Sequence, residues 1–343
     1  MTKLLLVTDG WHPQINGLVT ALDKMKDSLE RDGFEVAVIH PGLFRSVPLP
    51  GYPEIRLALL LRRRIRRMLM LERPGLIHLA TEGPLGWSTR ALCRRHRWRF
   101  TSSYHRHCHL YAHLRVRLLM RPVQALLRIF HGAATCTMVA TPSLRRELET
   151  QGFRNIMLWP LGVDTTFFVR DRSPEISTLA NPVFLFFSRL APEKNPKEFL
   201  NLDLPGTKLV IGDGPERKRL ESCFGMQAMF IGYKRGEELV NWLSICDVMV
   251  FPLRTETFGL VVLEALACGI PVAAHDIMGP RDIIDNFVDG ILDENLKKAA
   301  MGCLSLDRTK CREKALRYSW DASAAAFKGN LVRVVERQRA SIR

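Results

Sequence analysis

Four side chains in this sequence have the type and spacing to handle a phosphorylated ligand: Arg189, Lys194, Glu256 and Glu264. Arg189 and Lys194 stand five positions apart in Ser188-Arg189-Leu190-Ala191-Pro192-Glu193-Lys194-Asn195, directly after the apolar run Val183–Phe187. Two fixed cations meeting across a turn can hold a diphosphate without a metal. The competing reading is an ordinary charged turn in which Glu193 is an ion-pair partner. Seven residues separate Glu256 from Glu264. Glu256 falls in a polar turn. Glu264 falls among Val262, Leu263, Ala265 and Leu266, where an unpaired charge is expensive and needs either a hydrogen bond from a neighbouring loop or a ligand.

The elements that must position these groups can be read from the flanking residues. In the stretch Phe251–Val272, Pro252 ends an apolar strand because it has no amide for a sheet ladder. Val261–Ala267 reads as a buried helix that Cys268-Gly269 stops, and Pro271 opens the next strand. The helix start carries free N–H groups from Thr257, Phe258, Gly259 and Leu260 and a partial positive charge, which suits a phosphate. A second glycine turn, Gly212-Asp213-Gly214-Pro215-Glu216, follows the strand Lys208–Ile211.

In the N-terminal half, the loop Asp9–Gly17 follows a first strand, and Gly17 lets a ligand approach the backbone closely. Thr81–Gly86 and Ser103–His109 follow further strands. His105, His107, His109 and His113 also admit a metal reading, since imidazole is a common ligand. That reading would require a strand to bring alternate rings to one face, with Arg106 as a cation among them. Throughout the chain, apolar strands alternate with helical periodicity, which predicts α/β architecture with doubly wound parallel sheets. Such sheets bind ligands outside the carboxyl ends of their strands.

With these residues in order, the sequence resembles the retaining nucleotide-sugar glycosyltransferases of family 4. The resemblance rests on E-x7-E with Phe258-Gly259-Leu260 between and Gly269-Ile270-Pro271-Val272 after. It also rests on Arg-Leu-x-x-Glu-Lys-Asn at 189–195, the Gly212–Glu216 turn, Pro13-x-x-Asn16-Gly17, Tyr104-His105, and Gly162-Val163-Asp164 before Phe167-Phe168. It implies a GT-B fold, two Rossmann-like domains facing a cleft. The implied division is an acceptor domain over 1–168, a linker over 169–181, a donor domain over 182–320, and a helix over 321–343 that crosses back to the first domain. It implies that Arg189 and Lys194 bind the diphosphate, Glu264 the ribose, Glu256 and His105 the donor sugar, and Asn16, Gly17, Gly212, Gly214 and the amides of 257–260 the rest of the donor. In this sequence Leu18 stands where many members have a second glycine, and Arg106 stands where a Thr is usual. The nearest likeness within the family is to bacterial GDP-mannose-dependent α-mannosyltransferases, with UDP-glucose-dependent diacylglycerol glucosyltransferases next. No cofactor and no metal are expected; the chain contains no Asp-x-Asp.

Composition sets the remaining bounds. At 343 residues with 47% apolar content, the chain is long enough for two domains. No apolar run reaches transmembrane length, the N-terminus reads as a strand rather than a signal peptide, and the eight scattered cysteines fit a reducing compartment. A cytoplasmic location follows, with peripheral attachment to the inner face of the membrane open. Residues 1–170 hold 26 Lys and Arg against 12 Asp and Glu, a balance of +14, whereas 171–343 hold 24 against 23. The excess is mostly arginine: Arg62-Arg63-Arg64 with Arg66-Arg67, Arg94-Arg95 with Arg97 and Arg99, and Arg115, Arg117, Arg121 and Arg128 within Leu114–Phe130. It fits an anionic membrane presenting a lipid or glycan acceptor, or only a solvated surface over a core holding Leu118, Leu119 and Leu126. Few aromatic residues accompany the clusters, so no nucleic-acid partner is expected. Two readings of other classes stand beside the transferase: a nucleotide-sugar epimerase, and a non-catalytic protein that binds membrane or nucleic acid.

Overall fold

The computed structural model describes residues 2–14, 17–49, 52–59, 61–105, 120–170 and 179–340. Asn16, Arg106, His107, His109, His113, Arg115, Arg117, Leu118, Leu119 and most of the expected linker lie outside the described residues. The chain divides into two units, Met1–Pro160 with Trp320–Arg343, and Leu161–Ser319. The chain leaves the first unit at Pro160 rather than after Phe168. The segment in between is held by Arg312 of the second unit, which donates to the carbonyls of Thr165 (2.5 Å) and Phe168 (2.6 Å).

The first unit is built on strands β1 (Lys3–Val7), β2 (Glu35–Ile39), β5 (Leu76–Leu79), β6 (Thr101–Ser103), β7 (Thr137–Val139) and β8 (Ile156–Leu158), with a separate hairpin of β3 (Ser46–Leu49) and β4 (Tyr52–Ala58). The six-stranded sheet is parallel, in the order β2-β1-β5-β6-β7-β8. The helix Gly17–Arg31 buries Val19, Leu22, Met25 and Leu29, the stripe that a 3.6-residue period places on one face. On the sheet's other face, Ile65 and Leu69 from the helix Leu61–Glu72, Leu85 and Leu92 from Pro84–His96, and Phe130 from Met120–His131 join a single core. The last helix, Trp320–Ala340, belongs to this unit and inserts Phe327 against Trp159 and His78.

The second unit carries β9 (Val183–Phe187), β10 (Thr207–Ile211), β11 (Met229–Gly232), β12 (Val248–Phe251), β13 (Val272–Ala274) and β14 (Gly290–Leu292), parallel in the order β11-β10-β9-β12-β13-β14. Strands buried on both faces read as continuous apolar runs, and Phe184, Leu185 and Phe186 in β9 and Val248–Phe251 in β12 are at most 1% exposed. β9 and β12 are neighbours, with Phe184 opposite Val248 and Leu185 opposite Met249, although a whole β-α-β excursion separates them in the chain. The sheet grows outward in opposite directions from this pair. The loops after β9 and β12 therefore flank a topological switch point, the usual ligand position in such sheets.

One residue of this unit sits against its own preference. Phe287 has φ +65 and is 69% exposed in the turn before β14. A bulky side chain in the left-handed region carries about 1–2 kcal/mol of strain, and glycine's greater entropy loss returns only part of that. Phe287→Gly should raise the unfolding midpoint by ~2 °C. Thermal denaturation followed by circular dichroism checks it, and an unchanged or lower midpoint contradicts the strain.

Candidate active site

The loops after β9 and β12 meet. Lys194 Nζ donates to Glu256 Oε2 at 2.9 Å, and both side chains are largely buried. Glu256 Oε1 accepts from the N–H of Thr257 at 2.9 Å. Burial pushes the Glu256 carboxyl upward, but the Lys194 charge, the Lys194 hydrogen bond and the N–H groups of Thr257 and Phe258 outweigh it. The carboxyl is held below its usual range and stays ionised. Thus two of the amides expected to face a ligand are turned toward Glu256 instead. The amides of Gly259, Leu260 and Val261 find no acceptor among the described residues.

Glycine is required where this loop turns. Gly259 caps the helix Leu260–Ala267 at φ +94. A Cβ on Gly279, itself at φ +91, would come within 3.0 Å of the Phe258 carbonyl and 3.4 Å of Glu256 Cγ. The helix is apolar almost all round, with Val262, Leu263 and Ala265–Ala267 buried, and its partly exposed positions are Leu260, Val261 and Glu264. Positions 260 and 264 share a face one turn apart, so Glu264 lies on the stripe below the open amides. Its carboxyl has no hydrogen-bond partner among the described residues, and burial raises its pKa to about 7. Gly269 then ends the helix, with the Ile270 N–H returning to Ala265 O at 3.0 Å.

Arg189 leaves the end of β9 with its side chain exposed. Gly212 and Gly214 pack against the same exit: a Cβ on Gly212 would stand 1.9 Å from Ser188 O, and one on Gly214 2.4 Å from Leu190 O. The glycines therefore let the loop after β10 lie flat on the Arg189 segment, which is a positioning role the motif alone did not show.

A supporting network was not legible in the sequence. Asn195, at φ +50, donates to Pro252 O at 3.2 Å and to Glu198. Glu198 Oε1 accepts from buried His275 Nε2 at 2.9 Å and from Arg254 at 3.1 Å. This ties the Lys194 turn to the end of β12 and to the loop after β13. Glu198 and His275 belong to no spacing pattern, so no sequence signal could have found them.

In the first unit Gly17 opens the helix Gly17–Arg31. His105 is half-buried, with Nε2 2.9 Å from Ser103 Oγ and its ring edge-on to Trp159. The segment Thr81–Gly86, which follows β5, has its helix start occupied from within: the Asp9 carboxylate accepts from Thr81 Oγ1 at 2.8 Å, Leu85 N at 2.9 Å and Gly86 N at 3.4 Å. Those amides are not open to an outside anion.

Family models decide what this arrangement belongs to. Residues 15–167 match the model described as Glycosyltransferase Family 4, and residues 170–302 match Glycosyl transferases group 1. A GDP-mannose-dependent alpha-mannosyltransferase of Mycobacterium tuberculosis is 30% identical over 316 residues, 84% of this chain and 83% of that protein. The chain is a family 4 glycosyltransferase. The sulfoquinovosyl transferase SQD2 of Arabidopsis thaliana is 33% identical over 261 residues, 72% of this chain; the match spans about half (51%) of that longer protein. Among solved structures, sucrose-phosphate synthase from Thermosynechococcus elongatus has a TM-score of 0.80 over 100% of both chains at 19% identity. The glycosyltransferase thus has the GT-B fold expected from its sequence.

The unpartnered Glu264 makes the stability of the glycosyltransferase depend on pH. Its folded pKa of about 7 lies above the ordinary glutamate value of 4.5, so the folded state loses stability as pH rises from the lower value through the higher. Glu264→Gln should leave the melting temperature unchanged at pH 4.5 and raise it at pH 8.5, by the equivalent of about 2–3 kcal/mol. Calorimetry at the two pH values checks it; equal shifts at both would contradict the burial of this carboxyl.

Proposed function

We propose that this glycosyltransferase transfers mannose from GDP-mannose to a lipid or glycan acceptor with retention of configuration and without a metal. The observation that carries the reading is the Lys194–Glu256 pair at the switch point, set beside open helix-start amides and the unpartnered Glu264. In this reading the leaving diphosphate lies against Lys194, Arg189 and the amides of 259–261, which stabilise the negative charge that builds on it. Glu264 accepts the two ribose hydroxyls. Glu256, kept ionised by Lys194, orients the hexose, a role that the family resemblance also implies for His105. No side chain here serves as a covalent nucleophile; the acceptor hydroxyl attacks the face the diphosphate leaves, and the departing phosphate oxygen takes its proton. The mycobacterial mannosyltransferase, matched over most of both chains, supports the choice of GDP-mannose.

The binding test is thermal shift with GDP, UDP and ADP. GDP at about a hundred times its dissociation constant should stabilise by about 2.7 kcal/mol, and a larger shift with UDP would replace guanosine by uridine in this reading. Arg189→Ala and Lys194→Ala, assayed in excess EDTA, should each lower turnover roughly a hundredfold with the fold intact. Wild-type rates in either variant would remove that residue from the diphosphate site.

The acceptor side of the proposal is a lipid-linked substrate met at an anionic membrane face. No described helix is long and apolar enough to span a membrane. The helix Leu61–Glu72 instead exposes Arg62, Arg63, Arg64, Arg66 and Arg67 together with Met70 (53%) and Leu71 (71%). On the same side of the sheet, the helix Met120–His131, opened by Pro122 in its first turn, exposes Arg121, Leu126 and Ile129. Leu126 is therefore not core, as a purely solvated surface would have required. Each arginine adds about 1 kcal/mol near an anionic surface. The protein should sediment with vesicles rich in phosphatidylglycerol at low salt and be released by salt. Reversing Arg62, Arg63 and Arg66 to Glu, sparing Arg64 over the Phe44 ring, should abolish most of the binding. Protein that stays in the supernatant at low salt would point to a soluble acceptor.

A further inference from the structure

The first unit contains a cavity that the functional reading does not use. It measures about 520 Å³ and is lined by β8, by Arg145 and Glu149 of the helix Pro142–Thr150, and by Asn330 and Arg333 of the helix Trp320–Ala340. All of these residues belong to the first unit. Leu144 and Leu148 form the buried stripe of the helix Pro142–Thr150, so Arg145 and Glu149, one position on from each, fall at its flank. In the helix Trp320–Ala340, Asn330 is buried in one stripe with Phe327 and Leu331, and Arg333 follows it on the next turn.

β8 is the last strand of its sheet, so one side of its backbone has no ladder. Thr137 N donates to Asn155 O at 2.9 Å, and Trp159 N donates to Val139 O at 2.8 Å. Positions 155, 157 and 159 therefore turn toward β7, and Ile156 and Leu158, between them, turn their N–H and C=O groups away from it. Asn330 Nδ2 donates to the Leu158 carbonyl at 2.8 Å, which puts this open side against the cavity. The Ile156 N–H, the Ile156 carbonyl and the Leu158 N–H have no partner among the described residues. Such edge groups can recruit a partner. A further strand is a poor fit: β8 is three residues long and, with the Leu158 carbonyl taken, has only these groups to give. The volume of the cavity instead falls within the range of small-molecule pockets, about 300–1,000 Å³.

The charges in the lining set the class of ligand. Arg145 Nε donates to Glu149 Oε1 at 2.8 Å. The Nη groups of Arg145 and the whole Arg333 guanidinium have no partner among the described residues. Two guanidiniums thus stand against one carboxylate, and the lining keeps a positive charge in excess. Guanidinium N–H groups match the paired oxygens of a phosphate or a carboxylate. The open N–H and C=O groups of β8 call for groups that both donate and accept, as hydroxyls do. We propose that this cavity binds a small polyhydroxylated oxyanion, a sugar phosphate or a sugar acid, with its anionic group on Arg333 and Arg145 and its hydroxyls on the backbone of Ile156 and Leu158. The site is separate from the donor site read above, which lies in the second unit, and does not rest on that reading.

The test is carbon-13 NMR of the full chain labelled at the methionine methyls. Met157 lines the cavity, and its signal is assigned by its loss in Met157→Leu. Glucose 6-phosphate and glucuronate are the oxyanion probes, with glucose and sodium chloride as controls. The Met157 signal should shift saturably with at least one oxyanion, and the tighter of the two separates phosphate from carboxylate. Glucose should bind at least about tenfold more weakly, the worth of one charge-assisted hydrogen bond. Arg333 is exposed, so Arg333→Ala should melt with the wild type and weaken oxyanion binding by about the same factor. Arg189→Ala, in the other unit, should leave that binding unchanged. A Met157 signal that stays still with both oxyanions overturns the proposal without any variant needing to fold. So does one that moves equally with glucose or sodium chloride, or that keeps its affinity in Arg333→Ala. A failed GDP titration would leave this result standing.

Discussion

The Lys194–Glu256 pair is the interaction on which the rest of the second unit's site depends. Each partner would be costly alone: Glu256 is largely buried, and Lys194 leaves a short turn where Glu256 is its one ion-pair partner among the described residues. Together they join the loops after two neighbouring strands, and Glu256 in turn draws in the amides of Thr257 and Phe258. The start of the helix Leu260–Ala267 is thereby set, with its next amides left open and Glu264 one turn below. Removing either charge would leave the other uncompensated, so the pair is structural and electrostatic in the same place.

Close backbone approach is the second constraint. The segment Ser188–Leu190 is covered by Gly212 and Gly214, and the turn Glu256–Phe258 is backed by Gly279. At none of these positions is there room for a Cβ without moving main chain. The network of Asn195, Glu198, His275 and Arg254 fastens the remaining side of the Lys194 turn. A site that must hold a diphosphate against fixed charges gains from this, because charge held in place need not reorganise as the reaction proceeds.

The first unit uses polar groups differently. The amides at the start of the helix Pro84–His96 are satisfied internally by Asp9, and the buried histidines are satisfied along the sheet by Ser and Thr hydroxyls. The arginine excess lies outside this core, on helices whose apolar residues divide between the core and the surface. The same helices can therefore pack tightly and still present charge with exposed Met, Leu and Ile, which is the combination an anionic interface would take up.

The sequence by itself determined the α/β architecture, the positions of most of the parallel strands to within a residue or two but not the hairpin of β3 and β4, and the candidate cations and carboxylates. Each of these is a local property: β9 and β12 are unbroken apolar runs, Pro252 and Gly269 stop their elements, and Glu264 is conspicuous because its neighbours are Val, Leu and Ala. What only the tertiary structure decided is which of these residues meet. Lys194 and Glu256 are 62 positions apart and touch because β9 pairs with β12, an adjacency fixed by sheet order rather than by spacing. The same holds for Asp9 reaching Leu85 and for the run from Thr101 through His78 and Ser103 to His105, which crosses from β6 to β5 and back. Parallel strands bring their neighbours from distant parts of the chain through crossover connections. A short motif can therefore name a residue's chemistry and its element, while its partner is chosen by the fold.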